Sequence, residues 1–321
     1  MNIANDTDRL LSLSREAQWA FPSSSGRPVP LRPPEWLSRV SAEQRSFVET
    51  ARSLIDRNGF DLATELAANV WRLWILKREE AAGREFLAMV LDHAGNAQPT
   101  RWRALALYGD SLLAFRLGDL ESSRARSEAA LEAARAACDA EAEALALLAL
   151  SRVELTQGDH GRARAHAARS KELASGFDPA LGQSPLHMLA QATRLGNDLD
   201  EAAALFLQSL ELNRRLGDQG MIAVELHNLG HVELRLGHVD VAEPLFEEAA
   251  AFGDDSDPYS AAMRLFNRAS IAFARDDREN AASWLRQARS TLHDAGIEPA
   301  SDDAEELDRL DRQLTGSADG H

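Results

Sequence analysis

The sequence predicts an all-α chain built as a right-handed superhelical stack of about six helical hairpins, with a period near 40 residues. Three observations carry that expectation. Only ten Val and six Ile stand against a large excess of Ala and Leu, so helix formers dominate and a substantial sheet is disfavoured. Short turn signals recur at Arg78, Gly118, Gly158, Gly196, Gly237 and Asp276, spaced 38 to 41 residues apart. Between them lie pairs of amphipathic segments of 15 to 20 residues, divided by looser loops at 95–100, 176–179 and 253–258. A length of 321 residues is too great for one ordinary single-core domain, and an elongated repeat array accommodates it.

Taken in order, a first helix is expected around residues 8–19. Residues 20–35 (AFPSSSGRPVPLRPPE) hold five of the eleven prolines, so residues 1–35 read as a helix followed by a partly disordered leader. The near-neutral segment 41–68 resembles a helix-turn-helix in outline and reads instead as the first helices of the stack. The repeats then fill 36–315, closed by a helix over 302–314, and 316–321 form a flexible tail. One unit shows the logic in full. Leu226, Leu229, Val232 and Leu236 share a helix face, and Gly237 follows where a left-handed cap is cheap. Asp240 with Glu243 three residues on predicts the next helix start, with Pro244 in its first turn. Ala242, Phe246 and Ala249 make the inward face of that second helix.

The run Leu229, Gly230, Gly237, Ala242, Phe246, Ala249 resembles the tetratricopeptide repeat consensus. Ala163 and Ala167, Ala202 and Phe206, and Ala281, Leu285 and Ala288 keep it in part, while Ser123 and Ser127, or Gly83 and Leu87, depart from it. Through Trp36-Leu-Ser-Arg-Val-Ser-Ala-Glu-Gln-Arg45, Leu66-Ala-Ala-Asn-Val-Trp-Arg-Leu-Trp74 and Leu226-His-Asn-Leu-Gly230, residues 35–315 are similar to the C-terminal helical-repeat region of LuxR-type, AfsR-type and maltose-regulator-type bacterial transcriptional regulators. No GxxxxGK[ST] loop occurs, so the nucleotide hydrolysis of those regulators is not carried over.

The net charge is −16, and it is uneven: residues 1–60 carry eight basic against seven acidic side chains, the remainder 27 against 44. The acidic body disfavours nucleic acid and anionic membranes, whose affinity comes from Lys and Arg. Cys138 is the single cysteine, so no internal disulfide can form, and acidic neighbours disfavour its thiolate as a nucleophile. With no signal-peptide pattern and no 18-residue apolar run, a cytoplasmic protein is expected.

The resemblance to tetratricopeptide proteins implies that the first helix of each hairpin lines a concave groove. Carried over by residue, that groove holds Arg72, Tyr108, Phe115, Arg116, Arg152, Arg194, His227, His231 and Arg235. Arginine forks and aromatic faces suit a protein or peptide with carboxylates. The blander reading is that Arg116, Arg194 and Arg235, each at a helix C-terminus, offset the helix dipole. His227 and His231 have ligand spacing but lack a third ligand, and the acidic loop 254–257 lacks the Gly and Glu of a calcium loop, so neither metal nor other cofactor is expected. Trp71, Trp74 and Trp102 read as core packing. The resulting expectation is a non-catalytic protein- or peptide-binding scaffold, the alternative being a sensor that binds a metabolite in the same groove.

Overall fold

The computed structural model describes residues 3–19, 34–93, 98–177, 179–252, 257–299 and 301–316. Expectations for the proline-rich stretch 20–33, the acidic loop 253–256 and the tail 317–321 lie outside the described residues. Every regular element among those described is a helix: α1 (Ile3–Trp19), α2 (Pro34–Ala42), α3 (Gln44–Asp56), α4 (Phe60–Val70), α5 (Arg72–Lys77), α6 (Glu80–Leu91), α7 (Arg101–Arg116), α8 (Leu120–Ala136), α9 (Ala140–Thr156), α10 (His160–Ala174), α11 (Pro179–Leu195), α12 (Leu199–Leu216), α13 (Gln219–Arg235), α14 (Val239–Ala251), α15 (Pro258–Ala274), α16 (Arg278–Asp294) and α17 (Ser301–Thr315). They form two compact units, residues 1–192 and 193–321, with α11 running through the division.

In the first unit α4 and α5, joined at Trp71, make the first helix of a hairpin completed by α6, and the hairpins α7–α8 and α9–α10 follow. The first helices α4, α7 and α9 pack side by side in one layer. Phe47, Leu66, Trp71, Leu73, Leu87, Leu107 and Leu113 are buried between them and their partners. Two glycines admit the large rings: a Cβ on Gly83 would fall 2.8 Å from Trp74, and one on Gly109 2.7 Å from Trp71. At the small positions of α8, Ser123 and Ser127 are fully buried, and the Ser127 hydroxyl donates to the Ser123 carbonyl at 2.8 Å. They satisfy the repeat by volume while departing from it by identity. Helix α1 lies on α4, where Asn69 donates to Ser14 at 3.3 Å and Arg15 holds Glu65 at 2.6 Å.

The second unit contains α12, the hairpins α13–α14 and α15–α16, and α17, with α13 and α15 adjacent and α17 against α15 and α16. A Cβ on Gly230 would stand 2.5 Å from the Phe246 ring, which explains the Gly and aromatic pair of the repeat.

Left-handed residues close the hairpins at 78, 118, 158, 197, 237 and 276, now 39 or 40 residues apart. Asn197 takes the position the sequence pattern assigned to Gly196, since a short polar side chain tolerates this conformation. A second left-handed set, Asn58, Cys138, Gly217 and Gly296, recurs at 79 or 80 residues between hairpins. Asp119, Asp159 and Asp277, each just after such a turn, cap the following helix by accepting from the backbone N–H three residues on. The start of α14 departs from expectation. The His238 carbonyl already accepts from Val241 and Ala242, so the helix begins at Val239, His238 supplies no side-chain cap, and Pro244 falls beyond the first turn.

Candidate functional site

The residues assigned to the groove fall on the first helices of both units. In the first unit, Arg72 on α5 lies with its guanidinium 4.3 Å over the Trp71 ring and is only 8% exposed. Burial pulls its pKa down and the nearby Arg152 guanidinium on α9 adds to the effect, against Tyr108 on α7. Tyr108 is itself buried, edge-on to Trp71 at 5.9 Å. Arg72, Tyr108 and Arg152 therefore converge across three successive first helices. Phe115 and Arg116 lie apart from them, at the C-terminal end of α7, where Arg116 is exposed and donates to Glu80 at 2.9 Å.

In the second unit Arg194, His227, His231 and Arg235 form one connected wall, and they are occupied. Arg194, 1% exposed, donates to Glu306 of α17 at 3.0 Å. Arg235 Nη1 lies 3.6 Å from the same carboxylate, while its Nη2 donates to Asn197 at 2.6 Å. Arg309, on α17 itself, completes the ring around Glu306 at 2.6 Å. His227 Nε2 pairs with Asp303 Oδ1 at 3.1 Å, and the Tyr259 hydroxyl donates to the other oxygen. Burial alone would raise the Asp303 pKa. The hydrogen bond and charge of His227, with Tyr259 and Arg194, outweigh it and hold this carboxyl below the usual carboxylate range.

His231 is fully buried, stacked on Phe266 with ring centroids 4.7 Å apart, and its Nε2–H donates to Asn267 Oδ1 at 3.0 Å. Burial, then the neighbouring His227, Arg194 and Arg309, hold its pKa well below the ordinary histidine value. The neutral ring keeps a buried Nδ1 with no hydrogen-bond partner among the described residues.

Asn267, Tyr259, Asp303, Glu306 and Arg309 belong to this cluster and were not among the residues the sequence pattern picked out. The signal for Asp303 and Glu306 was present: in α17 they follow, with Leu307 and Leu310, the i, i+3, i+4, i+7 spacing of a helix face that docks. The dipole reading of the arginines is also incomplete, because Arg194 is spent on a specific carboxylate 112 residues away.

No protein-family model matches the chain, and no curated protein matches it. Solved structures do. A Rap protein complexed with competence and sporulation factor superposes with a TM-score of 0.65 at 15% identity, over 98% of this chain and 84% of that one. The apo form of RapI gives 0.62 at 13% identity, over 98% and 85%. A tetratricopeptide repeat protein from Parabacteroides merdae gives 0.51 at 13%, over 83% and 97%. The chain thus has the all-α, tetratricopeptide-like helical-repeat fold. No helix among the described residues is long and apolar enough to cross a membrane.

Proposed function

We propose that the chain is a non-catalytic binding module that holds a protein or peptide bearing carboxylates on the face made by the first helices of its hairpins. The observation that carries this reading is the wall of Arg194, His227 and Arg235, which already receives two carboxylates from a helix, Asp303 and Glu306. Arginine forks and a histidine recognise carboxylates by charge-assisted hydrogen bonds. Arg72 and Arg152 in the first unit present the same cationic chemistry beside Tyr108. The finer reading, a relative of the helical-repeat regions of bacterial regulators that binds a regulator, an ATPase or a peptide signal, rests on the sequence motifs at 36–45, 66–74 and 226–230.

A panel of acidic, neutral and basic helical peptides, titrated by fluorescence anisotropy, tests the face. Acidic peptides should bind, and Arg152→Glu should weaken them by about tenfold or more, equivalent to roughly 1.4 kcal/mol, in a chain whose helical circular dichroism is retained. Equal binding by wild type and the folded variant would place the binding surface elsewhere.

A further inference from the structure

Helix α17 follows the last hairpin after the left-handed turn at Gly296. A helix there need only cover the apolar end of α15 and α16, and Leu307, Leu310 and Leu314 do so, joining Met263, Phe266 and Leu285. Its acidic residues do something different. Asp303 reaches His227 on α13 and Tyr259 on α15, and Glu306 reaches Arg194 in the last turn of α11 and Arg235 at the end of α13. The helix thus packs on α15 and α16 while its carboxylates reach side chains of α11, α13 and α15, on the face assigned above to a partner.

Its composition is that of a ligand. Six acidic residues stand against two arginines in its 15 residues, the docked face carries Asp303, Glu306, Leu307 and Leu310, and Glu305, Asp308, Asp311 and Arg312 remain exposed. Near this network the buried His231 Nδ1 meets no hydrogen-bond partner among the described residues. The charges it brings are buried too, and desolvation of buried ion pairs offsets most of their attraction. Such a helix is held by its leucines and its tether together, a hold that a separate helix with better contacts can overcome.

We infer that α17 is a displaceable internal ligand: it occupies in cis the site of a separate acidic amphipathic helix with carboxylates at i and i+3 and leucines at i+4 and i+7, and thereby gates that site. The inference rests on the proposed binding role of the first-helix face and names its partner class and its regulation.

The test uses the full chain and a fluorescent synthetic peptide of residues 301–316. In Glu306→Gln the buried Arg194 loses the charge of one carboxylate it pairs with while α17 is docked, so the internal competitor weakens. The peptide should then bind at least tenfold more tightly than to wild type, and adding Arg235→Gln should abolish the gain. Hydrogen exchange should show α17 amides opening ahead of those of α13 and α15, and opening further with excess peptide. Unchanged peptide affinity in a folded Glu306→Gln chain overturns the proposal. Should that variant not fold, exchange in the wild-type chain decides: α17 opening in step with α13 and α15 makes it a permanent part of the fold. Either negative result leaves the Arg152 test of the first unit standing, so the broader reading falls only on its own experiment.

Discussion

At the scale of single residues, two positions govern how tightly the second unit closes. Gly230 is helical, and its need for no side chain comes from Phe246, 2.5 Å from where a Cβ would sit. Gly230→Ala should therefore destabilise by about 1–3 kcal/mol through overpacking, although Ala is the better helix former. Urea denaturation checks this, and pairing it with Phe246→Leu should recover part of the loss. His231 is the second position. Its pKa is held well below its unfolded value of 6.5, so the unfolded chain binds the extra proton. The stability this neutral ring contributes is present above about pH 6.5 and declines as pH falls below it. Asp303, whose pKa is depressed, loses its contribution only in a lower window, beneath the usual carboxylate value of 3.8. The urea midpoint should thus fall between about pH 7 and pH 5, and His231→Gln, which can still bond Asn267 but cannot titrate, should flatten that fall. An identical slope in the variant would remove His231 from the account.

At the scale of the element, three of the six hairpin turns place an aspartate cap directly after a left-handed residue. Asp277 shows the device without other entanglement, accepting from the Asn280 backbone N–H at 3.2 Å and its side-chain amide at 2.7 Å. Asp277→Ala should cost about 1 kcal/mol in thermal or urea unfolding, the usual worth of such a cap. The boundary of α14 shows where local pattern misleads. Asp240, Glu243 and Pro244 read as a helix start, yet the His238 carbonyl accepts the first helical bonds because the turn at Gly237 delivers the chain there already wound. The second set of left-handed turns was illegible for a related reason. Asn58, Cys138, Gly217 and Gly296 share a conformation across three residue types, so identity alone does not align them.

At the scale of the whole molecule, stability in a repeat stack is close to a sum of each hairpin and its contacts with neighbours. Leu285, buried between α15, α16 and α17, should cost about 2–5 kcal/mol when cut to Ala, with amide exchange accelerating in those three helices while α7 and α8 keep their protection. Fold class, the 40-residue period and five of the six turn positions were written in the sequence, because each depends on contacts within one hairpin or the next, where spacing along the chain stands in for distance. What the arginines and histidines of the first helices pair with inside the chain was decided only by tertiary structure. Arg194 and Glu306 are 112 residues apart, and neither helical periodicity nor a repeat consensus links them. That pairing arises from where α17 comes to rest, a balance of buried leucines, desolvated charges and chain tether that has no local signature.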